Sequence, residues 1–469
     1  MGKPTGFMEY SRRLQPEKAP LERIRDYDTF HPAMTPELLR EQSARCMNCG
    51  TPYCNLGVAW QGVASGCTLG NLIPEWNDLV YKGLYKEAWE RLKLTIPFPE
   101  FTSRVCPALC EGACTCGLND EAVTIKEIER FLSDTAFDNG WEQPQLPATR
   151  TGCRVAVIGS GPAGLTTAWR LNHFGNEVTV FEKNELPGGL LTFGIPNMKL
   201  PKQDVVMRRV RIMEQEGITF RCGTNVTADN SAGLLAGFDA VVLCCGAEAP
   251  RDHKVPGRDL EGIGFAVPFL ADATRRVLEG REAEKPLAGK RVIVIGGGDT
   301  GNDCTATAIR QGADSVIQFE IMPPSPEYRA ANNPWPRWPF VKKTDYGQQE
   351  AIAVWGDDPR QYCVQTLEFV GDKHVRELHT VEVEWVVRDG RRVPQNIAGT
   401  ERTVPADLVL LAMGFTGACD YTKELAEGKS PANGWFTCGD MRTGQSLVVK
   451  AMADGMDCAE RVDKYLRKG

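Results

Sequence analysis

The chain of 469 residues has no apolar run long enough to cross a bilayer, and its start, Met1-Gly2-Lys3-Pro4, lacks the apolar core of a secretory signal. It has no excess of positive charge: 54 basic against 61 acidic side chains leave a formal net charge of −7. A broad basic field for nucleic acid or anionic lipid is therefore not expected. There is no low-complexity segment, and no side chain stands out as a general base, so no catalytic side chain is assigned. These absences lead us to expect a cytoplasmic protein with neither nucleic acid nor membrane as partner. At this length one core does not suffice, and two or three domains are expected. The 42% apolar and 25% charged residues are those of a globular chain.

Cysteine, by contrast, is plentiful. Of 17 cysteines, eight lie between Cys46 and Cys116, ordered Cys46-x2-Cys49-x4-Cys54-x12-Cys67 and Cys106-x3-Cys110-x3-Cys114-x1-Cys116. In a reducing compartment such sets point to metal ligation and buried thiols rather than to disulfides. Iron–sulfur clusters and structural zinc both take this donor set. Helical segments at Glu37–Arg45, Leu84–Leu94 and Val123–Phe137, with little strand alternation, make residues 1–150 a small α-helical domain organised around its metal. Asp138–Gly152, with Asn139-Gly140, Pro144 and Pro147, reads as a linker.

From Cys153 the texture changes. The apolar run Arg154–Ile158 enters Gly159-Ser160-Gly161-Pro162-Ala163-Gly164, a helix follows over Gly164–Phe174, and a strand over Val178–Phe181 closes with Glu182. The plan recurs: Arg291–Ile295 enters Gly296-Gly297-Gly298-Asp299-Thr300-Gly301, a helix runs to about Arg310, and Ser315–Phe319 ends in Glu320. The acids lie 182 − 164 = 18 and 320 − 301 = 19 residues beyond the last glycines, where a ribose hydroxyl is bound in dinucleotide folds. Strand, fingerprint, helix and acid together outweigh a chance glycine-rich turn. Each unit is followed by another apolar strand, Asp239–Ala247 and Asp407–Gly414. The fold class expected is α/β: an N-terminal α-helical iron–sulfur domain, then two Rossmann-like nucleotide-binding domains, the second inserted in the first. The boundaries expected are 1–150, 151–285, 286–406 and 407–469, the last completing the first nucleotide domain.

The flanking residues divide the cofactors. Leu186-Pro187-Gly188-Gly189-Leu190 offers a glycine pair that passes close to a flat ring, and Trp435–Asp440 reads as a strand ending in Gly439-Asp440 before an amphipathic helix, Gln445–Leu466. Asp440 suits the ribityl hydroxyls, and the helix N-terminus near Ser446 suits negative charge on a reduced flavin. FAD is thus expected at Gly159, Gly161, Pro162, Ala163, Gly164, Glu182, Gly189, Leu190, Gly246, Gly439, Asp440, Gln445 and Ser446. The nicotinamide cofactor is expected at Gly296, Gly298, Asp299, Thr300, Gly301 and Glu320, with Arg329 beside them. Glu320 favours NADH, whereas Arg329, Arg337, Lys342 and Lys343 are candidates to hold a 2′-phosphate; NADPH is the expectation, with NADH as the alternative. The segment Asn333–Pro339 reads as a stiff surface excursion. No Cys-x-x-Cys lies beside either nucleotide site, which argues against a disulfide reductase, and Cys244, Cys245 and Cys304 read as buried packing thiols.

Together these residues resemble the small (β) subunit of glutamate synthase over nearly the whole chain. The resemblance rests on Cys46-Met47-Asn48-Cys49, Asn71-Leu72-Ile73-Pro74-Glu75-Trp76-Asn77-Asp78, Phe98-Pro99-Glu100-Phe101, Val105–Gly112, Val123-Thr124-Ile125-Lys126, both fingerprints, and Gly439-Asp440 with Gly444–Val449. It implies a subunit that oxidises NAD(P)H by hydride transfer to FAD and passes electrons through two [4Fe–4S] clusters. They would reach the FMN of a large (α) subunit, where glutamine and 2-oxoglutarate become two glutamates. It also implies interleaved ligands: Cys46, Cys49, Cys54 and Cys114 for one cluster, and Cys67, Cys106, Cys110 and Glu129 for the other, with Cys116 spare or an alternative. From the residues alone Glu129 reads as an exposed helix carboxylate. Position 2 is Gly, not a cysteine for glutamine amidotransfer, and no length remains for an FMN-bearing barrel, so glutamate formation by this chain alone is not expected. Two other readings stand: a similar subunit serving ferredoxin:NADP transhydrogenase or sulfide dehydrogenase chemistry, and a zinc-stabilised, non-catalytic interaction module.

Overall fold

The computed structural model describes residues 2–468; Met1 and Gly469 lie outside it. The cysteine-rich part is built from helices Pro36–Ala44, Ile73–Tyr81, Tyr85–Lys93, Pro99–Val105 and Ile125–Asp138. Three of them carry proline in the first turn, where its missing N–H would have had no partner anyway. Their apolar faces bury Leu39, Trp76, Leu92, Ile128 and Leu132 in one core. A short hairpin, Val58–Trp60 with Val63–Ser65, interrupts the cysteine run.

Two five-stranded parallel sheets follow. The first runs Trp435–Thr437, Ala240–Leu243, Arg154–Ile158, Glu177–Phe181, Thr219–Arg221. Its fingerprint strand is buried at four successive residues, Val155 to Ile158, because helices cover both faces of such a sheet. The C-terminal helix Val448–Leu466 lies so close to Pro162–His173 that a Cβ on Gly455 would stand 2.7 Å from the Ala163 carbonyl oxygen. The second sheet runs Arg360–Tyr362, Ser315–Glu320, Arg291–Ile295, Leu408–Leu411, Ile263–Phe265.

The second sheet extends past both expected boundaries. Ile263–Phe265 and Leu408–Leu411 are hydrogen-bonded into it in parallel register, so the second nucleotide domain is wider than 286–406. The two connections between the domains lie side by side as the antiparallel pair Ala249–Pro250 and Phe415–Gly417. Between Arg360–Tyr362 and Leu408–Leu411 the chain forms an antiparallel group, Val364–Gly371, Val375–Arg388, Arg391–Asn396 and Arg402–Pro405.

An N-terminal strap ties the domains together. Buried Arg23 donates to Glu350 at 2.7 Å, and Arg310 donates to the other carboxylate oxygen at 2.6 Å and to the Arg23 carbonyl at 3.0 Å. One carboxylate between two guanidiniums satisfies the charges that burial would otherwise penalise. Tyr27 and Phe30 pack beside it on Met198, Ala306 and Tyr346. Among the described residues no helix is long and apolar enough to cross a membrane.

Candidate functional site

The first fingerprint is glycine by necessity. Gly159 has φ +96°, and a Cβ there would meet the Cys244 carbonyl oxygen at 2.5 Å; one on Gly164 would meet the Gly159 oxygen at 2.0 Å. Gly161 caps the helix Pro162–His173 with open space around it, leaving the first N–H groups and the positive end of the dipole facing outward. Buried Glu182 accepts from Ser160 N at 3.2 Å and from Asn184 N at 2.8 Å, which fixes its carboxylate across the fingerprint. Ser160 Oγ also donates to Glu182 and accepts from Gly188 N at 2.9 Å. A Cβ on Gly189 would lie 2.9 Å from Gly161 Cα, and one on Gly439 2.6 Å from Ala163 Cβ. The Gly188-Gly189 pair and the loop after Gly439 therefore roof this site.

The rest of that loop is held from below. Gly439 N donates to Asp454 at 2.6 Å, Ser446 Oγ donates to Asp440, and burial raises the Asp440 carboxyl. Gln445 accepts from Phe415 N at 2.9 Å and so joins the loop to the inter-domain connection. Gly246 has φ +75° at the end of its strand, and Leu190 begins the short helix Leu190–Phe193, 45% exposed. Ser160, Gly188 and Asp454 were absent from the sequence-based set; the first two lie within quoted motifs, but Asp454 carried no motif signal.

The second fingerprint repeats the geometry without the roof. Gly296 (φ +130°) would place a Cβ 2.3 Å from the Ala412 oxygen, Gly301 would place one 2.2 Å from the Gly296 oxygen, and Gly298 is open. Asp299 and Thr300 begin the helix Asp299–Arg310. Glu320 accepts from Gly297 N and from Met322 N, each at 2.8 Å. From the first nucleotide domain Lys199 reaches across to Asp303 at 3.3 Å, where Tyr346 OH also donates at 2.8 Å.

The stretch after Glu320 turns toward the cysteine-rich domain. Arg329 is engaged elsewhere: it donates to the carbonyls of Arg337 at 2.7 Å, Asn333 at 3.3 Å and Gly112 at 3.3 Å. The segment Asn333–Pro339 is not a surface excursion but a bridge to the cysteine-rich domain. Trp335 packs at a tilt against Tyr53 with centroids 4.7 Å apart and donates its indole N–H to the Cys114 carbonyl at 3.2 Å, while Trp338 N donates to the Ala64 carbonyl at 2.9 Å. Indole surface of this size is drawn to a contact that also satisfies its N–H.

The cysteines gather in two places. Cys46, Cys49, Cys54 and Cys114 line one cavity with Ile73, Pro74, Val123 and Ile125; Cys116 lines it too. Cys67, Cys106 and Cys110 lie within electrostatic reach of one another and of Glu129. Burial pushes Cys46 and Cys67 up to about 12 and Cys106 up to about 11, and raises Cys54, Cys110 and Cys114. Glu129 is not an exposed carboxylate: it is 6% exposed, accepts from Thr102 Oγ1 and from Asn71 Nδ2 at 3.1 Å, and burial raises it to about 7. Asn71 is itself aimed by Trp76 Nε1 at 2.8 Å. Among the described residues no three such donors stand close enough to grip one metal ion. Thiols gathered in two such groups suit iron–sulfur clusters, whose charge would draw off their protons. Cys106 also packs with Leu109 against Val449, in the first turn of the helix that follows the Gly439 loop. Cys244 and Cys304 are buried, and Cys245 is half-buried.

Comparison with known proteins agrees with this geometry. Residues 23–141 match the family described as dihydropyrimidine dehydrogenase domain II, 4Fe-4S cluster, and residues 153–328 match pyridine nucleotide-disulphide oxidoreductase. The structure of Mycobacterium tuberculosis FprA in complex with NADPH shares the fold, with a TM-score of 0.52 and 19% identity, covering 68% of this chain and 85% of that one. The chain is thus an NAD(P)H-dependent oxidoreductase of the FAD/NAD(P) fold with a 4Fe-4S domain at its N-terminal side. It is 47% identical to the glutamate synthase [NADPH] small chain of Bacillus subtilis, covering 99% of both chains, and 35% identical to that of Escherichia coli, covering 97% of both. It belongs to the glutamate synthase small-chain family. The whole chain also aligns, at 43% identity, with 22% of the much longer glutamate synthase [NADH] of Saccharomyces cerevisiae.

Proposed function

We propose that this chain is the electron-input subunit of a glutamate synthase. It takes electrons from NAD(P)H and delivers them to a large (α) subunit carrying FMN, which forms glutamate from glutamine and 2-oxoglutarate. The single observation that carries the reading is Cys106 packed with Val449, beside the Gly439–Ser446 loop. That contact puts one thiol group next to the roofed nucleotide site. The residues fit the cofactors: an open helix N-terminus under a glycine roof for FAD, a second open N-terminus for the nicotinamide, and two groups of thiols for two [4Fe–4S] clusters.

When bound, the flavin would supply the conversion of a two-electron donor into single electrons. The protein's own part is binding and alignment. Gly161 and Gly298 would let the pyrophosphates approach the backbone, and Glu182 and Glu320 would hold the riboses. Asp440, fixed by Ser446, would meet the ribityl chain. Lys199 on Asp303 keeps the two nucleotide domains in register, since a misplacement of even 1 Å is costly in such chemistry. Cys46, Cys49, Cys54 and Cys114 would hold one cluster, and Cys67, Cys106, Cys110 and Glu129 the other. The yeast relative, in which the matching region is a fraction of a longer glutamate synthase, supports a large-subunit partner.

Mixing the purified holoprotein with a glutamate synthase large subunit tests the reading. Glutamine- and 2-oxoglutarate-dependent oxidation of NAD(P)H is expected, with iron and FAD in the protein. A colourless protein holding zinc, or nicotinamide oxidation indifferent to the large subunit and its substrates, would sink it.

A further inference from the structure

We infer that Glu320 makes this chain an oxidiser of NADH in preference to NADPH; the inference rests on the nicotinamide reading of the second fingerprint given above. The molecule contains its own reference. In the first unit, read as the FAD site, Glu182 accepts from Ser160 N at 3.2 Å and from Asn184 N at 2.8 Å. In the second, Glu320 accepts from Gly297 N and Met322 N, each at 2.8 Å. Each acid therefore bonds the second residue of its fingerprint and the backbone two residues beyond itself. FAD carries an adenosine ribose whose 2′-hydroxyl is free, and a carboxylate is the acceptor for that hydroxyl. The second unit repeats the arrangement and is shaped for the same ribose.

A 2′-phosphate would bring negative charge against a carboxylate that two backbone N–H groups hold in place. The close approach is built in: a Cβ on Gly297 would lie 2.2 Å from Glu320 Oε2, so glycine is required there. A free cation is the usual remedy for such repulsion, and the cations that follow this strand are engaged. Arg329 is held by three carbonyls, Lys342 lies 3.2 Å from Glu327, and Arg360 donates to Asp358 and to the Lys343 carbonyl. Lys343 sits 4.2 Å over the Trp338 ring, and Arg337 donates to the Asn332 carbonyl at 3.1 Å.

The test uses the full chain with its flavin and iron. Initial rates with NADH and NADPH are measured against ferricyanide, and binding of NAD+ and NADP+ is measured by calorimetry. NADH is expected to exceed NADPH in kcat/KM, and NAD+ to bind more tightly than NADP+, by about tenfold or more, the effect of one poorly screened like-charge contact. Glu320→Gln is expected to narrow both ratios by raising NADPH and NADP+. Equal or better use of NADPH by the unsubstituted protein overturns the inference and leaves the functional reading standing. A Glu320→Gln variant that loses both nucleotides in equal proportion overturns it as well, since that marks a structural role. Oxidation of neither nucleotide by flavin-loaded protein overturns the functional reading, and this inference with it.

Discussion

The two nucleotide units share strand, fingerprint, helix and acid, yet only the first is covered from above. A Cβ on Gly189 would meet Gly161 at 2.9 Å and one on Gly439 would meet Ala163 at 2.6 Å, whereas no glycine from another segment stands so close to Gly298. A roofed site suits a cofactor that stays, and an open one suits a cofactor that arrives, reacts and leaves. The first roof is assembled from parts far apart in sequence, residues 188–189 and 439–446, so it exists only in the finished fold. The second site has no such roof and suits a cofactor replaced at every turnover.

The strongest challenge to this contrast is a matched pair of substitutions. Gly164→Val and Gly301→Val each drive a side chain into a backbone carbonyl and should cost their own site roughly 3 kcal/mol or more. The first is expected to purify without flavin. The second should remain yellow but show no bleaching on addition of either nicotinamide. Absorbance at the flavin band decides both, and a colourless Gly301→Val would break the contrast.

The thiol groups extend the comparison to a second duplication. Glu129→Ala should remove about four irons per chain, the content of one [4Fe–4S] cluster, and leave the group around Cys114 loaded. Iron analysis with electron paramagnetic resonance would show it; unchanged iron would remove Glu129 from the ligand set. A smaller effect is expected of Glu182→Gln, which weakens one charge-assisted acceptor and should cost roughly 2 kcal/mol in FAD affinity, read by fluorescence titration.

The smallest concerns how each first strand is pinned. Arg154 N donates to Asp239 at 2.7 Å and Arg291 N to Asp407 at 2.9 Å, but only Arg291 adds its guanidinium, which lowers Asp407 to about 2. A carboxyl held below its unfolded value of about 3.8 adds stability above that pH and loses it as pH falls through about 2. Because the pair is partly exposed, Asp407→Asn should cost only about 0.5 kcal/mol near neutrality, and nothing at pH 2. Denaturant melts at the two pH values measure this.

Much of this plan is legible along the chain because it is local. A fingerprint, its helix and its acid fall within some thirty residues, and glycine at Gly164 or Gly301 is dictated by the Gly159 or Gly296 carbonyl inside one unit. The edges of the second domain are not legible, since Ile263–Phe265 and Leu408–Leu411 declare their sheet only through hydrogen bonds to distant strands. The partners of Arg329 are hidden for a similar reason: one of its acceptors, the Gly112 carbonyl, lies 217 residues away. Burial of Glu129 depends on Asn71 and Thr102, which the periodicity of its own helix does not announce. Resemblance supplied the interleaving of the cysteines that spacing alone left open.

The Trp335 segment carries a consequence for motion. It springs from the nicotinamide domain yet ends on the cysteine-rich one, while Arg23 grips the same domain from its other side. A body anchored at two separated points cannot swing like a door on the Ala249–Pro250 and Phe415–Gly417 connections. Rotation of the nicotinamide domain as a whole would first have to break both the Trp335 and the Arg23 contacts.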